Sequence, residues 1–183
     1  MSNKNMEIKI IYSYMYNRQL NIHRSKEQVW KRFMTLEGSC SELKELNDRF
    51  LLDTIYTMEK LSGKKIPREE IRIFIVDRDR GGSFHEPMTL QFDEDQKFMF
   101  VELLHLVGHH LVVDRGAIGE AKINLVVEEA ISGLPLDFSR QLKRLHKIQE
   151  DRYPLEYFRI DPKKYALKEK NLLEHFPSIK KEV

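Results

Sequence analysis

The stretch Phe100–Val112, FVELLHLVGHHLV, is apolar almost all round, yet it carries one carboxylate and three imidazoles: Glu102, His105, His109 and His110. Its apolar residues predict burial, and burying a polar group costs free energy unless a hydrogen bond or a metal ion satisfies it. Read as a helix, the segment stacks residues four apart on one face. His105 and His109 then point the same way, one turn apart. Glu102 lies three residues before His105 on the same side. His110 is turned about 100° from His109 and reads as a surface or supporting residue.

A second helical segment follows, AKINLVVEEAISG (121–133), in which Glu129 stands twenty residues after His109 with Glu128 beside it. Two histidines from one helix and a carboxylate from the next form a three-ligand set. Such a set leaves a fourth zinc position open, as catalytic zinc requires.

Working outward towards the N-terminus, DRGAIG (114–119) reads as a loop between the two helices, and Asp93 or Asp95 caps the first of them, which is expected to run to about Val113. FHEPMTLQF (84–92) is predicted as a strand, and Pro87, which cannot donate to a ladder, puts it at a sheet edge. IRIFIVD (71–77) is a β-branched run suited to a central strand. Residues 7–16 alternate, with Ile8, Ile10, Tyr12, Tyr14 and Tyr16 on one face, so they are predicted as a half-buried strand. Leu20 to His23 is predicted to return as a short one. Ser25 with Gln28 forms a capping box that opens a helix to about Leu36, stopping at Gly38. Ser39 with Glu42 opens a longer one whose stripe Leu43, Leu46, Phe50, Ile55, Met58, Leu61 ends at Gly63. Towards the C-terminus, helices are expected at 138–149 and 162–174, joined by the connector YPLEYFRIDP.

The order strand, turn, proline-bearing edge strand, histidine helix, loop, glutamate helix resembles the zincin metallopeptidases over residues 66–133, and a glutamate ligand makes it gluzincin-like. His105-Leu-Val-Gly-His109, nineteen residues, then Glu129 in EEAIS is similar to the thermolysin-type spacing. The resemblance implies an α+β, zincin-like fold: a small mixed sheet packed on an active-site helix and a Glu-bearing helix, with C-terminal helices added. It implies Zn2+ held by His105, His109 and Glu129, and hydrolysis of peptide bonds by zinc-activated water. The family's general base follows the first histidine, where this chain has Leu106, so Glu102 becomes the candidate catalytic proton acceptor. A second register, Val101-Glu102-Leu-Leu-His105, is similar to the cytoplasmic repressor-cleaving gluzincins. It keeps Glu102 and His105, has valine in place of the first histidine, and takes its later carboxylate from Glu128 or Glu129. Both registers stay open, and with them an alternative function: an inactive pseudo-peptidase whose cleft binds a peptide or protein partner.

Composition narrows the classes. The chain has 183 residues, 41% hydrophobic and 33% charged, which suits one domain, 1–150, carrying a helical extension, 151–183. Its 31 basic and 29 acidic residues give a formal charge of +2, too balanced to indicate a nucleic-acid or membrane surface. One cysteine, Cys40, fits a reducing compartment, and MSNKNMEIKIIYSY lacks a signal-peptide pattern, so a cytoplasmic location is expected. His85-Glu86 could border a cleft along the edge strand, where an extended substrate would add to the sheet. The tyrosines 12, 14 and 16 are expected in packing, Tyr153 and Tyr157 are candidate donors over a cleft, and RQLKRLHK (140–147) reads as a solvated helix face.

Overall fold

The computed structural model describes residues 6–66, 70–77, 84–85, 87–114 and 116–152. The fold is α+β, mostly helical, with one small sheet. By its internal contacts the chain divides into two compact units, Met1–Leu52 with Pro67–Leu106, and Asp53–Ile66 with Val107–Val183.

The first unit is built on the sheet. Strands β1 (Glu7–Tyr12), β2 (Glu70–Val76), β3 (Phe84–His85) and β4 (Met88–Gln91) lie in the order β1-β2-β4-β3. β1, β2 and β4 run parallel, with Ile8 opposite Ile71, Ile10 opposite Ile73 and Ile75 opposite Leu90; β3 is antiparallel to β4 at the edge. The β-branched run of β2 takes a central place because Ile71, Ile73, Ile75 and Val76 are all buried, as an interior parallel strand requires.

Two sequence expectations change here. The strand predicted over 7–16 ends at Tyr12, because the Ser13 hydroxyl accepts from Tyr16 N (3.2 Å) and starts helix α1 (Tyr14–Leu20). Alternating tyrosines mimic a strand, but a capped N-terminus takes precedence. Tyr14 and Tyr16 therefore pack from a helix, half-buried, edge-on to Trp30 and Phe74 respectively. Residues 20–23 form the end of α1 and a turn, not a returning strand. Asn17 and Asn21 replace the missing ladder with side-chain bonds to the end of β2. Asn17 donates to Ile75 O (3.3 Å) and accepts from Asp77 N (3.0 Å), and Asn21 donates to Asp77 O (2.8 Å).

The second change is at 84–92, which is a β3–β4 hairpin and not one strand. Pro87, with no N–H to give, sits in the turn, and β4 is interior between β2 and β3. The mixed sheet is present, but its edge strand is the two-residue β3 and does not contain the proline.

Helix α2 (Lys26–Ser39) has the expected capping box between Ser25 and Gln28, and runs through Gly38 to Ser39. A methyl group at Gly38 would meet nothing within 4 Å and its φ is ordinary. Glycine costs a helix interior roughly 0.5–1 kcal/mol relative to alanine. Gly38→Ala is therefore expected to stabilise the chain by about 0.5 kcal/mol or more, read as a higher urea midpoint with an unchanged slope. Next come α3 (Ser41–Leu46), a π-helical turn (Asn47–Leu51) and α4 (Leu52–Ser62). The cap of α3 is Cys40 rather than Ser39, whose hydroxyl instead donates to Thr35 O (2.7 Å). Cys40 is 1% exposed, and burial pushes its thiol pKa up.

Helix α5 (Gln96–Leu111) starts at Asp95, whose carboxylate accepts from Lys97 N and Phe98 N (both 3.1 Å). Its first turn is tied down by Gln96, which accepts from Leu43 N (2.8 Å) and donates to Ser39 O (2.6 Å).

In the second unit α4 ends at Gly63, which takes the left-handed φ of +67° that lets glycine close a helix. Glu59 then accepts from Ile66 N (2.8 Å). Helices α6 (Gly116–Ser132) and α7 (Leu136–Arg152) pack on each other. The loop expected over 114–119 is shorter than read, because Gly116 at φ +64° begins α6 at once. On α7, Ser139, Leu142, His146 and Gln149 form the buried stripe while Arg140, Lys143, Arg144 and Lys147 are exposed, the solvated face expected of RQLKRLHK. The helix expected at 162–174, Tyr153, Tyr157 and nearly all of the expected extension 151–183 lie outside the described residues. No helix among the described residues is long and apolar enough to cross a membrane.

Candidate metal centre

The burial expected of the opening stretch is present. Met99, Phe100, Val101, Leu103, Leu104 and Val107 of α5 have no exposed surface, and among them Glu102 (6% exposed) and His105 (9%) are the buried polar residues. His105 and His109 lie on one unbroken helix, about 6 Å apart along its axis and about 40° apart around it. Their side chains converge without help from any other element.

The third member comes from α6. One donor atom from each of His105, His109 and Glu120 lies within 4.8 Å of the other two. His109 Nε2 stands 3.7 Å from Glu120 Oε1, with the two side chains 23% and 20% exposed. Four features of the α5–α6 connection bring Glu120 there. Gly116 turns the chain through a positive φ into the new helix. Gly119 passes so close to the preceding loop that a Cβ would fall 2.2 Å from Asp114 O. Gly108 meets Ile123, whose Cγ2 would be 2.6 Å from an added Cβ, so the last turns of α5 approach α6 closely. An ion pair from Lys122 to Asp114 ties the loop to the helix.

Glu129 is not part of this group. It is exposed, as is Glu128. Nine residues beyond Glu120, it lies about 13.5 Å further along α6 and half a turn round the helix. Lys122 and Arg140 pair with Asp114 and Asp137. Sequence reasoning missed Glu120 because residues 114–119 read as loop and the helix was begun at 121. The available signal was the shortness of the connection, since two helices joined by a few residues bring the end of the first to the beginning of the second.

Glu102 is nearly on the same face as His109, seven residues away and about 10 Å along the axis, and its carboxylate is not among the clustered donors. Leu106, at the position a zincin base would hold, is 5% exposed. His110 is half-buried next to the cluster and His85 lies on the edge strand β3, whereas Glu86 is outside the described residues. No family model, curated protein or solved structure matches the chain.

Proposed function

We propose that the chain is a zincin-like, gluzincin-type metalloprotein that holds Zn2+ through His105, His109 and Glu120 and hydrolyses peptide-type bonds in a peptide or protein substrate. The observation that carries this reading is the convergence of three donors of zinc-binding type within 4.8 Å. The donor set suits the ion, because zinc takes imidazole nitrogen and carboxylate oxygen at about 2.0–2.2 Å, so tetrahedral neighbours stand about 3.3–3.6 Å apart. The His109–Glu120 separation of 3.7 Å needs only a small adjustment to match. An antiparallel edge strand beside a parallel strand that leads into the histidine helix also supports the zincin-like fold. The single, buried thiol suits the cytoplasm as the working compartment.

A zinc ion held by three side chains supplies Lewis acidity, polarising a carbonyl and lowering the pKa of water. The protein's own contribution is a neutral imidazole pair, a carboxylate that offsets one of the ion's two charges, and an apolar surround on α5 that strengthens electrostatics at the site. Glu102 is the carboxylate assigned to accept the proton, one turn before His105.

The buried Leu106 favours a second reading, the inactive pseudo-peptidase that binds a peptide partner. General-base catalysis typically contributes about 10²–10⁴-fold, and a leucine at the family's base position forfeits that if Glu102 does not reach. One preparation separates the readings. The full chain, stripped by chelator and titrated with Zn2+, is expected to bind about one ion and to gain thermal stability with rising zinc. His105→Ala and His109→Ala should abolish both effects. Absence of binding by the unaltered chain sinks the metal centre and hydrolysis together. Binding without cleavage of an unfolded protein selects the second reading, whereas cleavage indifferent to Glu102→Gln keeps the hydrolase and removes Glu102 as its proton acceptor.

A further inference from the structure

The charge of the chain is nearly balanced, but it is not evenly spread. Residues 138–149, FSRQLKRLHKIQ, hold four Lys and Arg residues and no carboxylate. All of them lie on α7, within the second unit. Arg140, Lys143, Arg144 and Lys147 stand at i, i+3, i+4 and i+7 and so form one stripe along the helix. The opposite stripe, with Leu142 and His146, is buried and fixes which way the cations face. All four are exposed, the side chains of Arg140 and Lys147 to 69% and 70%. The carboxylates of α7, Asp137, Glu150 and Asp151, stand at its two ends. Asp137 pairs with Arg140 at 3.6 Å and Glu150 with Lys147 at 3.5 Å. Pairs of this kind, one turn apart on an exposed helix, are weak and screened by salt, so a denser line of negative charge displaces them.

We infer that this stripe docks on the phosphate backbone of a nucleic-acid duplex without reading its sequence. From residue 140 to residue 147 the helix rises about 10.5 Å, a length over which a duplex presents about six phosphate charges. Two of the four cations are arginines, whose planar forks suit phosphate oxygens. The stripe carries no aromatic side chain, which favours a duplex over a single strand, because single-strand sites stack bases on aromatic rings. A membrane surface is a poorer match. The apolar side of α7 is turned into the protein at Leu142, whereas a helix lying on a bilayer needs that side for the lipid. This docking is independent of the metal centre, and zinc is not needed to test it.

The test is fluorescence anisotropy of a labelled DNA duplex of about 20 base pairs, titrated with the full chain in the presence of chelator. Saturable binding is expected, within the roughly 10⁻⁴–10⁻⁶ M range of non-specific complexes at physiological salt, and equal for a scrambled duplex. With four phosphates neutralised, log K should fall against log salt with a slope of about −3.6, a loss of about 150-fold between about 50 and 200 mM. Lys143→Ala combined with Arg144→Ala, both at exposed positions, should about halve that slope and weaken binding at low salt at least about ten-fold. Circular dichroism confirms that the doubly substituted chain is folded. Absence of saturable binding, or affinity and slope indifferent to the double change, overturns the docking surface. A single strand bound more tightly than the duplex overturns the duplex. Tighter binding to polyglutamate or to phosphatidylserine vesicles overturns nucleic acid as the partner.

Discussion

Glu120→Gln is expected to lower zinc affinity by more than the roughly 10–100-fold that loss of a supporting residue costs, whereas Glu129→Gln should leave it within about two-fold. Glutamine keeps the size and shape of the side chain but removes the negative charge, so packing on α6 is conserved and only the donor is weakened. Glu120 Oε1 lies 3.7 Å from His109 Nε2, and its carboxylate is what turns a pair of imidazoles into a three-donor set. With it neutralised, two histidines remain, which seldom suffice for zinc. Glu129, exposed and half a helical turn away from that face, has no means of reaching the same ion. The comparison is read by competition with a chromophoric chelator, on variants shown by circular dichroism to be folded. Zinc affinity that survives Glu120→Gln and collapses with Glu129→Gln would reverse the assignment. Equal affinity in all three chains would mean that neither glutamate is a ligand and that the His109–Glu120 contact is an ordinary ion pair.

The contrast between the two glutamates marks where sequence reading succeeds and where it stops. Strongly local signals were legible. The Ser25–Gln28 capping box, the β-branched run 71–76, Gly63 as a helix stop and the His105–His109 turn each depend on neighbours within a few residues, and each stands in the structure as read. The errors arose where a local pattern competed with a contact from further away. Tyr12, Tyr14 and Tyr16 alternate like a strand, but Ser13 caps a helix whose Asn17 reaches across to Ile75 and Asp77. Glycines in DRGAIG read as loop, although one supplies the positive φ that starts α6 and another the clearance it needs. Helix spacing put the two histidines on one face because one helix carries both. Which carboxylate stands beside them depended on how two helices are joined, and the family-like spacing named Glu129, at the far end of the second helix from Glu120.

Gly119→Ala is expected to destabilise the chain by about 3 kcal/mol or more and to impair zinc binding in whatever folded fraction remains. An added methyl would lie 2.2 Å from Asp114 O and 2.8 Å from its carbonyl carbon, distances that no rotamer change can relieve because the obstacle is backbone. Overpacking in a well-packed region typically costs about 1–3 kcal/mol, and more when nothing flexible can yield. Helix propensity favours alanine by only about 1 kcal/mol, so the clash decides the sign. Relief requires α6 to move away from residues 112–114, straining the Lys122–Asp114 pair and drawing Glu120, the next residue, away from His109. Gly116→Ala provides the contrast, because open space surrounds that position and the strain is its φ of +64° alone, a cost of about 1–2 kcal/mol. Urea unfolding of the three zinc-free chains measures the two penalties, and zinc titration of the same chains reports the geometry. A Gly119→Ala chain as stable as wild type, with zinc affinity intact, would mean that α6 does not begin as tightly against Asp114 as the centre requires, and the route by which Glu120 meets the histidines would have to be abandoned.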